Sequence, residues 1–276
     1  MKTPRHTPIA VATSLFMLAA VVSTAGAHET WLQPISFFVD KPATQIVHMT
    51  SAMGEHYTTP ETAIEPSRVA RSGVWFAGAR LPLTQPTKQE HELALTWTPT
   101  KSGVGAIFVE LAPRVLDLPD SLINEYFDEI GASPELRKQW TDTPSPKRWR
   151  ESYAKHAKTY VRVGDAKAAY PWRGETGMGL EIVPGSDPTR IVAGDTVSFG
   201  VVYKGKRMTR FTLAVFREGA AKAEFITTNR AGRALFPAAA AGNVLLTGVH
   251  LRRVHEPSLE WRSDFTTMTL RVQARR

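Results

Sequence analysis

The chain has 276 residues, of which 42% are hydrophobic and 22% are charged, so its composition is that of a globular protein and not of a disordered one. It contains no cysteine, which excludes disulfide bonds, thiolate metal sites and a cysteine nucleophile. The formal net charge is +8, but the basic residues are scattered and no nucleic-acid-binding motif is present, so we expect no nucleic-acid partner.

The first segment, residues 1–27, has the three parts of a secretory signal peptide. Lys2 and Arg5 precede an apolar run, and an Ala-Gly-Ala motif at 25–27 supplies the small residues that a signal peptidase recognises. An uncleaved membrane anchor is the alternative, but the apolar run is short for a membrane span and the cleavage motif follows it directly. The sequence therefore predicts export to the periplasm and a mature chain that begins at His28.

Residues 28–115 are predicted to form an antiparallel β-domain, because short apolar or alternating runs are bounded there by Gly, Pro and Ser. Residues 116–160 change character and predict a helical insertion. Ser-Pro pairs open two of its expected helices, since a Ser side chain can cap a helix and Pro suits the first turn. The second pair, at 145–146, predicts a helix that continues to His156 and exposes that side chain.

A strand and a linker are expected at residues 161–178, and the glycine-rich stretch 174–179 is interpreted as flexible. From residue 179 to residue 276, strand candidates alternate with turn signals such as the Lys-Gly-Lys at 204–206. This rhythm predicts an immunoglobulin-like or transthyretin-like β-sandwich. We therefore expect a mostly β fold, in which an N-terminal antiparallel β-domain with a helical insertion is followed by a C-terminal β-sandwich domain.

The residue that follows the predicted cleavage site has the strongest coordination potential in the chain. A free His28 offers two nitrogen donors, its α-amino group and its imidazole, which can chelate one metal ion. The α-amino pKa of about 8 is low enough for a metal to displace the proton near neutral pH. A second histidine would complete a nitrogen set suited to Ni, Co, Cu or Zn. The alternative is that this histidine merely follows the cleavage site.

Four histidines make up the predicted metal site: His28, His56, His250 and His48. His56 lies in a glycine-containing turn after the second predicted strand, and His48 lies on that strand. His250 and His255 are five residues apart, so on one regular strand they point to opposite faces and only one of them can join a given site. Each of these histidines, taken alone, is more often a surface or core residue than a ligand.

Four stretches of the mature chain carry a family resemblance: the start at 28–32, the strand region 153–164, the segment 179–184 and the run 229–236. They resemble a bacterial periplasmic family of unknown function that is grouped with periplasmic components of nickel and cobalt uptake systems. The resemblance covers nearly the full mature length. It implies a β-sandwich, a periplasmic location and a role in transition-metal binding or trafficking.

Carried over residue by residue, the resemblance supports His28 and His250 as site residues. It supports His56 less closely, because the Gly-Glu-His-Tyr turn at 54–57 departs from the family's usual Gly-His-Gly or Gly-x-x-Phe pattern. The partner that the resemblance implies is an inner-membrane metal transporter.

Three functions remain open from the sequence. The favoured hypothesis is a periplasmic protein that binds Ni, Co or Cu for delivery to an uptake system. The second is a copper enzyme that cleaves polysaccharides with an N-terminal histidine and a second histidine. The third is a metal-free carbohydrate-binding or adhesion sandwich, which rests on fold analogy alone. No G-x-S-x-G or H-E-x-x-H motif is present, so we predict a binding protein rather than an enzyme.

Overall fold

The structure, a computed structural model, describes residues 28–84, 86–165, 172 and 174–276. The predicted signal peptide, residues 1–27, therefore lies outside the described residues, as does part of the predicted linker. Within the described residues, no helix is both long enough and apolar enough to cross a membrane.

Strands dominate both parts of the chain. The first part contains β1 (Glu29–Pro34), β2 (Phe38–Val39), β3 (Gln45–Ala52), β4 (Thr62–Ala63), β5 (Val69–Phe76), β6 (Ala79–Leu81), β7 (Thr87–Lys88), β8 (Leu93–Trp97), β9 (Gly103–Leu118), α1 (Ile123–Glu129), α2 (Pro134–Thr141) and β10 (Trp149–Val163). The second part contains β11 (Leu180–Pro184), β12 (Thr196–Tyr203), β13 (Lys206–Arg207), β14 (Thr212–Arg217), β15 (Glu224–Thr227), β16 (Arg233–Pro237), β17 (Gly242–Glu256) and β18 (Leu259–Val272). The predicted mostly β fold is confirmed.

Helices occupy only a short part of the predicted helical insertion, residues 116–160. Ser133 caps α2 as expected, because its hydroxyl oxygen accepts a hydrogen bond from the Leu136 amide. The helix predicted from residue 145 to His156 is wrong, since the chain from Trp149 onward forms β10. The backbone of β10 pairs with a strand on either side, which outweighs the local helix-start signal.

The central sheet has the strand order β15-β14-β17-β18-β10-β9-β5-β6, with β2 added to β10. In its middle, β10 runs antiparallel to β9 and parallel to β18. The strands to one side of the β10–β18 pair come from the first part of the chain, and those to the other side come from the second part. The regions predicted as an N-terminal and a C-terminal domain thus share one sheet.

Each face of the central sheet is covered by a smaller sheet. On one face, called the first face, Ala157 and Val161 of β10 pack with apolar side chains of the N-terminal sheet, which has the order β1-β3-β8-β7. On the opposite, second face, Tyr160 packs with Leu180 and Phe199 of the C-terminal sheet, formed by β11, β12, β13 and β16. Alternate residues of β10 therefore enter different cores.

The helices cover the end of the first face that the N-terminal sheet leaves open. There Trp149 of β10 stacks on Trp261 of β18, with ring centroids 4.5 Å apart. Tyr126 and Phe127 of α1 and Trp140 of α2 meet the same Trp149 ring edge-on. These aromatic contacts dock the helices onto the sheet.

Candidate functional site

The strand that follows the predicted cleavage site is fixed on the first face of the central sheet. The Thr267 hydroxyl donates to the Thr30 carbonyl at 2.6 Å, and the Thr269 hydroxyl donates to the Leu32 carbonyl at 2.5 Å. Trp31 between them is fully buried. Because threonines of β18 hold successive carbonyls of β1, the backbone has one defined position from the first residues of the predicted mature chain.

His28 itself takes part in this anchoring. Its carbonyl accepts a hydrogen bond from the ammonium of Lys155 on β10, which also lies 3.2 Å from the Thr30 hydroxyl. The carboxylate of the next residue, Glu29, accepts a hydrogen bond of 2.8 Å from the Thr247 hydroxyl on β17. Two strands of the central sheet, β10 and β18, thus hold the backbone beside His28, and β17 holds the Glu29 side chain. His28 itself is half-buried.

Acidic groups surround this start of β1. Burial raises the pKa of Glu29 to about 7, and the charges of Glu129 and Glu55 raise it further, against the opposing effects of Thr247 and Lys155. Burial likewise lowers the pKa of Lys155 to about 8, although the attraction of Glu29 opposes that shift. A cation that arrives beside Glu29 could therefore displace a proton near neutral pH.

The pairing of β1 with β3 brings the turn that carries His56 to the same end of the N-terminal sheet as His28. Glu29 is paired with Ala52, so the antiparallel register continues from His28 to Met53. A 3-10 helix of one turn, Gly54–His56, begins directly after Met53. The ring of His56, however, is exposed and its Nδ1 hydrogen-bonds the Glu61 carboxylate.

The other two predicted ligands lie elsewhere. His48 is on β3, where its neighbours along the strand enter the core, and its Nδ1 lies 2.8 Å from a carboxylate oxygen of Glu92. His250 is on the second face, where its ring meets Tyr203 of β12 edge-on at 4.4 Å. Burial lowers the pKa of His250, and the charge of Arg252 lowers it further. The central sheet therefore separates His250 from the start of β1, which lies on the first face.

Side chains alone do not form a ready metal site in the described part of the chain. No group of three or more His, Asp or Glu side chains is close enough together there to hold a metal ion. The structure brings the His28 backbone and the His56 turn to one end of the N-terminal sheet, and it brings neither His48 nor His250 to that place. Metal coordination by His28 therefore depends on the amino group that cleavage would free.

The sequence pattern missed a row of buried charges on the second face. His156, expected on a helix surface, is buried in β10 between two carboxylates, with Nδ1 3.0 Å from Glu110 and Nε2 3.1 Å from Asp264. Arg71 and Arg252 pair with the outer oxygens of these carboxylates. The row crosses five neighbouring strands, β5, β9, β10, β18 and β17, and every charge in it has an opposite neighbour.

The electrostatics of this row keep it charged. Burial alone would lower the pKa of His156, but hydrogen bonds to Asp264 and Glu110 outweigh burial and raise it. Burial alone would raise the pKa of Glu110, but hydrogen bonds from His156, Arg71 and the Gly179 amide bring it down to about 2. No local periodicity signals such a row, because its members lie on strands that are far apart in sequence.

Comparisons with known proteins identify a family without an assigned activity. A sequence profile described as a domain of unknown function, DUF4198, matches residues 25–252. The profile's description names no ligand, and nothing found connects it to nickel or cobalt uptake. The search of curated proteins found no match.

Among solved structures, weak similarity was found to adhesins. The D0–D1 domain of intimin is 10% identical, with a TM-score of 0.23, and the match covers 88% of this chain and 97% of that one. The Escherichia coli adhesin FdeC is 12% identical, with a TM-score of 0.22 and coverage of 88% and 63%. The Yersinia pseudotuberculosis adhesin InvE is 13% identical, with a TM-score of 0.20 and coverage of 88% and 58%. TM-scores of this size are too low to bear on function.

Proposed function

We propose that this chain, which belongs to the DUF4198 family, is an exported protein that binds a divalent transition-metal ion through its mature amino terminus. The ion would be cargo, held by the α-amino group and imidazole of His28. Nickel, cobalt and copper are the candidate ions, since borderline metals favour nitrogen donors. The periplasm remains the proposed location, and an inner-membrane metal transporter remains the proposed partner.

The observation that carries the proposal is the anchoring of the backbone directly at His28. Lys155 holds the His28 carbonyl, and the next residues of β1 are buried. An amino terminus that leaves a rigid strand at its first residue loses little conformational freedom when it chelates an ion. A disordered terminus would lose more conformational entropy when it binds the ion.

The surrounding charges support a cationic cargo. Glu55 and Glu129 both act on the Glu29 carboxyl through their charges. The negative charges of these carboxylates can attract a cation as it approaches. The two nitrogens of His28 leave further coordination positions open, which suits an ion that is to be passed on.

The copper-enzyme alternative is less well supported by the placement of the histidines. It needs a second imidazole next to His28. His250, which the family resemblance supports as a site residue, packs against Tyr203 on the opposite face of the central sheet, and the ring of His56 is exposed and bonded to Glu61. The proposed site therefore relies on the amino group, one imidazole and carboxylates.

The test compares two mature proteins that differ by one residue. One begins at His28, and the other carries an extra glycine before it, which moves the amino group away from the imidazole. We expect the first to bind one equivalent of Ni²⁺ in a competition titration, with affinity falling below about pH 6 as the nitrogens protonate. The extra glycine should weaken binding at least tenfold.

His255→Ala serves as the matched control, because His255 is exposed on the β17–β18 hairpin, far along the chain from β1. It should bind the metal as the unaltered protein does, whereas His28→Ala should not. Equal affinities for the proteins with and without the added glycine would refute the amino-terminal site. Mass spectrometry of the exported protein should place its first residue at His28.

A further inference from the structure

A second candidate site lies in the C-terminal sheet, on the other side of the molecule from His28. A cavity of about 350 Å³ opens on the surface of that sheet that faces away from the central sheet. Its walls come from β11, β12, β13, β16 and the segment that precedes β11. Ser198, Arg207, Arg233, Trp172 and Glu175 supply its functional groups.

The floor of the cavity is formed by backbone atoms, because two of its residues are glycines and have no side chain that would occupy the cavity. A Cβ on Gly185 would lie 2.2 Å from the Ser198 hydroxyl, so no side chain fits there. Gly200 is paired with Arg233 on β16, and a Cβ on Gly200 would lie 3.9 Å from a guanidinium nitrogen of Arg207. The two arginines therefore flank a bare strand floor.

The polar groups around this floor are available to a ligand. Among the described residues, no hydrogen bond or ion pair engages the side chains of Arg207, Arg233, Glu175 or Ser198. All three charged residues are exposed. Two guanidinium groups and one carboxylate line the cavity, so it has a net positive charge and favours a ligand with a net negative charge.

The functional groups of the lining residues further restrict the class of ligand that would fit the cavity. Guanidinium groups match the planar fork of a carboxylate, whereas Glu175 and Ser198 can accept hydrogen bonds from hydroxyl groups. A bare anion would leave Glu175 facing a like charge. The nearly buried indole of Trp172 adds an apolar wall, and the volume lies at the small end of the range for ligand pockets.

We propose that this cavity binds a carboxylated sugar, a uronic-acid unit, with its carboxylate between Arg207 and Arg233 and its hydroxyls toward Glu175 and Ser198. The site is independent of the amino-terminal metal site, because the C-terminal sheet covers the second face of the central sheet and β1 lies on the first. It gives the carbohydrate-binding hypothesis a location that the sequence could not provide.

The experiment is an NMR or calorimetric titration of the mature protein with D-glucuronate and D-galacturonate. D-glucose, inorganic phosphate and L-alanine are the comparison ligands. We expect saturable binding of at least one uronate, weakening as ionic strength rises, and much weaker binding of all three comparison ligands. Arg207→Gln and Arg233→Gln should each weaken binding about ten- to a hundredfold, since each removes a charge-assisted hydrogen bond.

Arg230→Gln is the matched control, because Arg230 is an exposed arginine in the turn before β16 and does not line the cavity. It should leave uronate affinity unchanged, and thermal unfolding should confirm that all three variants fold. The proposal is overturned if neither uronate binds, if either cavity variant binds like the control, or if glucose, phosphate or alanine binds as tightly as the uronates.

Discussion

The buried ion pair between Lys158 and Glu181 offers the sharpest test of how the fold holds its second face. The two side chains are 0% and 1% exposed, and the ammonium lies 2.7 Å from a carboxylate oxygen. Burial alone would lower the pKa of Lys158, but its electrostatic interactions with Tyr160 and then Glu181 outweigh burial and raise it. Burial alone would raise the pKa of Glu181, but the charge and the hydrogen bond of Lys158 outweigh burial and lower it, so both groups stay charged. The carboxylate also accepts hydrogen bonds from the amides of Thr176 and Gly177.

Lys158→Met removes the positive charge and leaves Glu181 buried without its counter-ion. Breaking a buried pair from one side costs about 3–5 kcal/mol of unfolding free energy. For a chain of this size each kcal/mol lowers the melting temperature by roughly 2–4 °C, so we expect a decrease of roughly 6–20 °C. Adding Glu181→Gln should recover about 2 kcal/mol, because the amide oxygen can still accept from the Thr176 amide and no isolated charge remains.

Urea unfolding followed by circular dichroism measures these differences on the mature protein. The control is Lys138→Met, which breaks an exposed pair with Asp142 on α2 and should cost less than about 0.5 kcal/mol. A loss for Lys158→Met no larger than that of the control would refute the reasoning. So would a double variant that is less stable than the single one.

Two further predictions concern the polar contacts across the sheets. Because the pKa of His156 is raised in the folded protein, its contribution to stability is fully present below its ordinary value of 6.5 and is lost as pH rises through the raised value. His156→Gln should therefore flatten the decline of melting temperature from pH 6 toward alkaline pH, and an unchanged slope would contradict this assignment. Thr269→Val removes the hydroxyl that donates to the Leu32 carbonyl and should cost about 1–3 kcal/mol in urea unfolding, since it leaves a buried acceptor unpaired. A variant as stable as the parent would show that this hydrogen bond does not stabilise the docking of β1.

Much of the β architecture could be predicted from local pattern. Strands such as β3 alternate core and outward residues, and glycine-bearing turns bound most of the others, so their existence followed from sequence alone. The strand β10 could not be recognised in this way over its first half. It carries Glu151 and His156 in buried positions and Lys155 in a half-buried one, which gives it no apolar alternation, and a Ser-Pro pair before it mimics a helix start.

For the proposed amino-terminal site, the sequence could indicate the chemistry of His28 but not the geometry around it. The cleavage motif singles out His28, because any residue exposed by cleavage gains an amino group. Which second histidine lies near His28 depends on how the strands pair. The face of the sheet to which His250 points, for example, follows only from its pairing with β18. The contact between Lys155 and the His28 carbonyl joins residues far apart in sequence, so no local signal announces it.

The threonine contacts between β18 and β1 join the two extremities of the chain. A ribosome makes β1 first and β18 last, and β10 likewise gains one of its two neighbours only when β18 arrives. The strand β1 therefore lacks this partner until the chain has been synthesised as far as β18, Leu259–Val272. A chain cut short before residue 259 would lack the strand that joins its two halves and would leave both cores open to water.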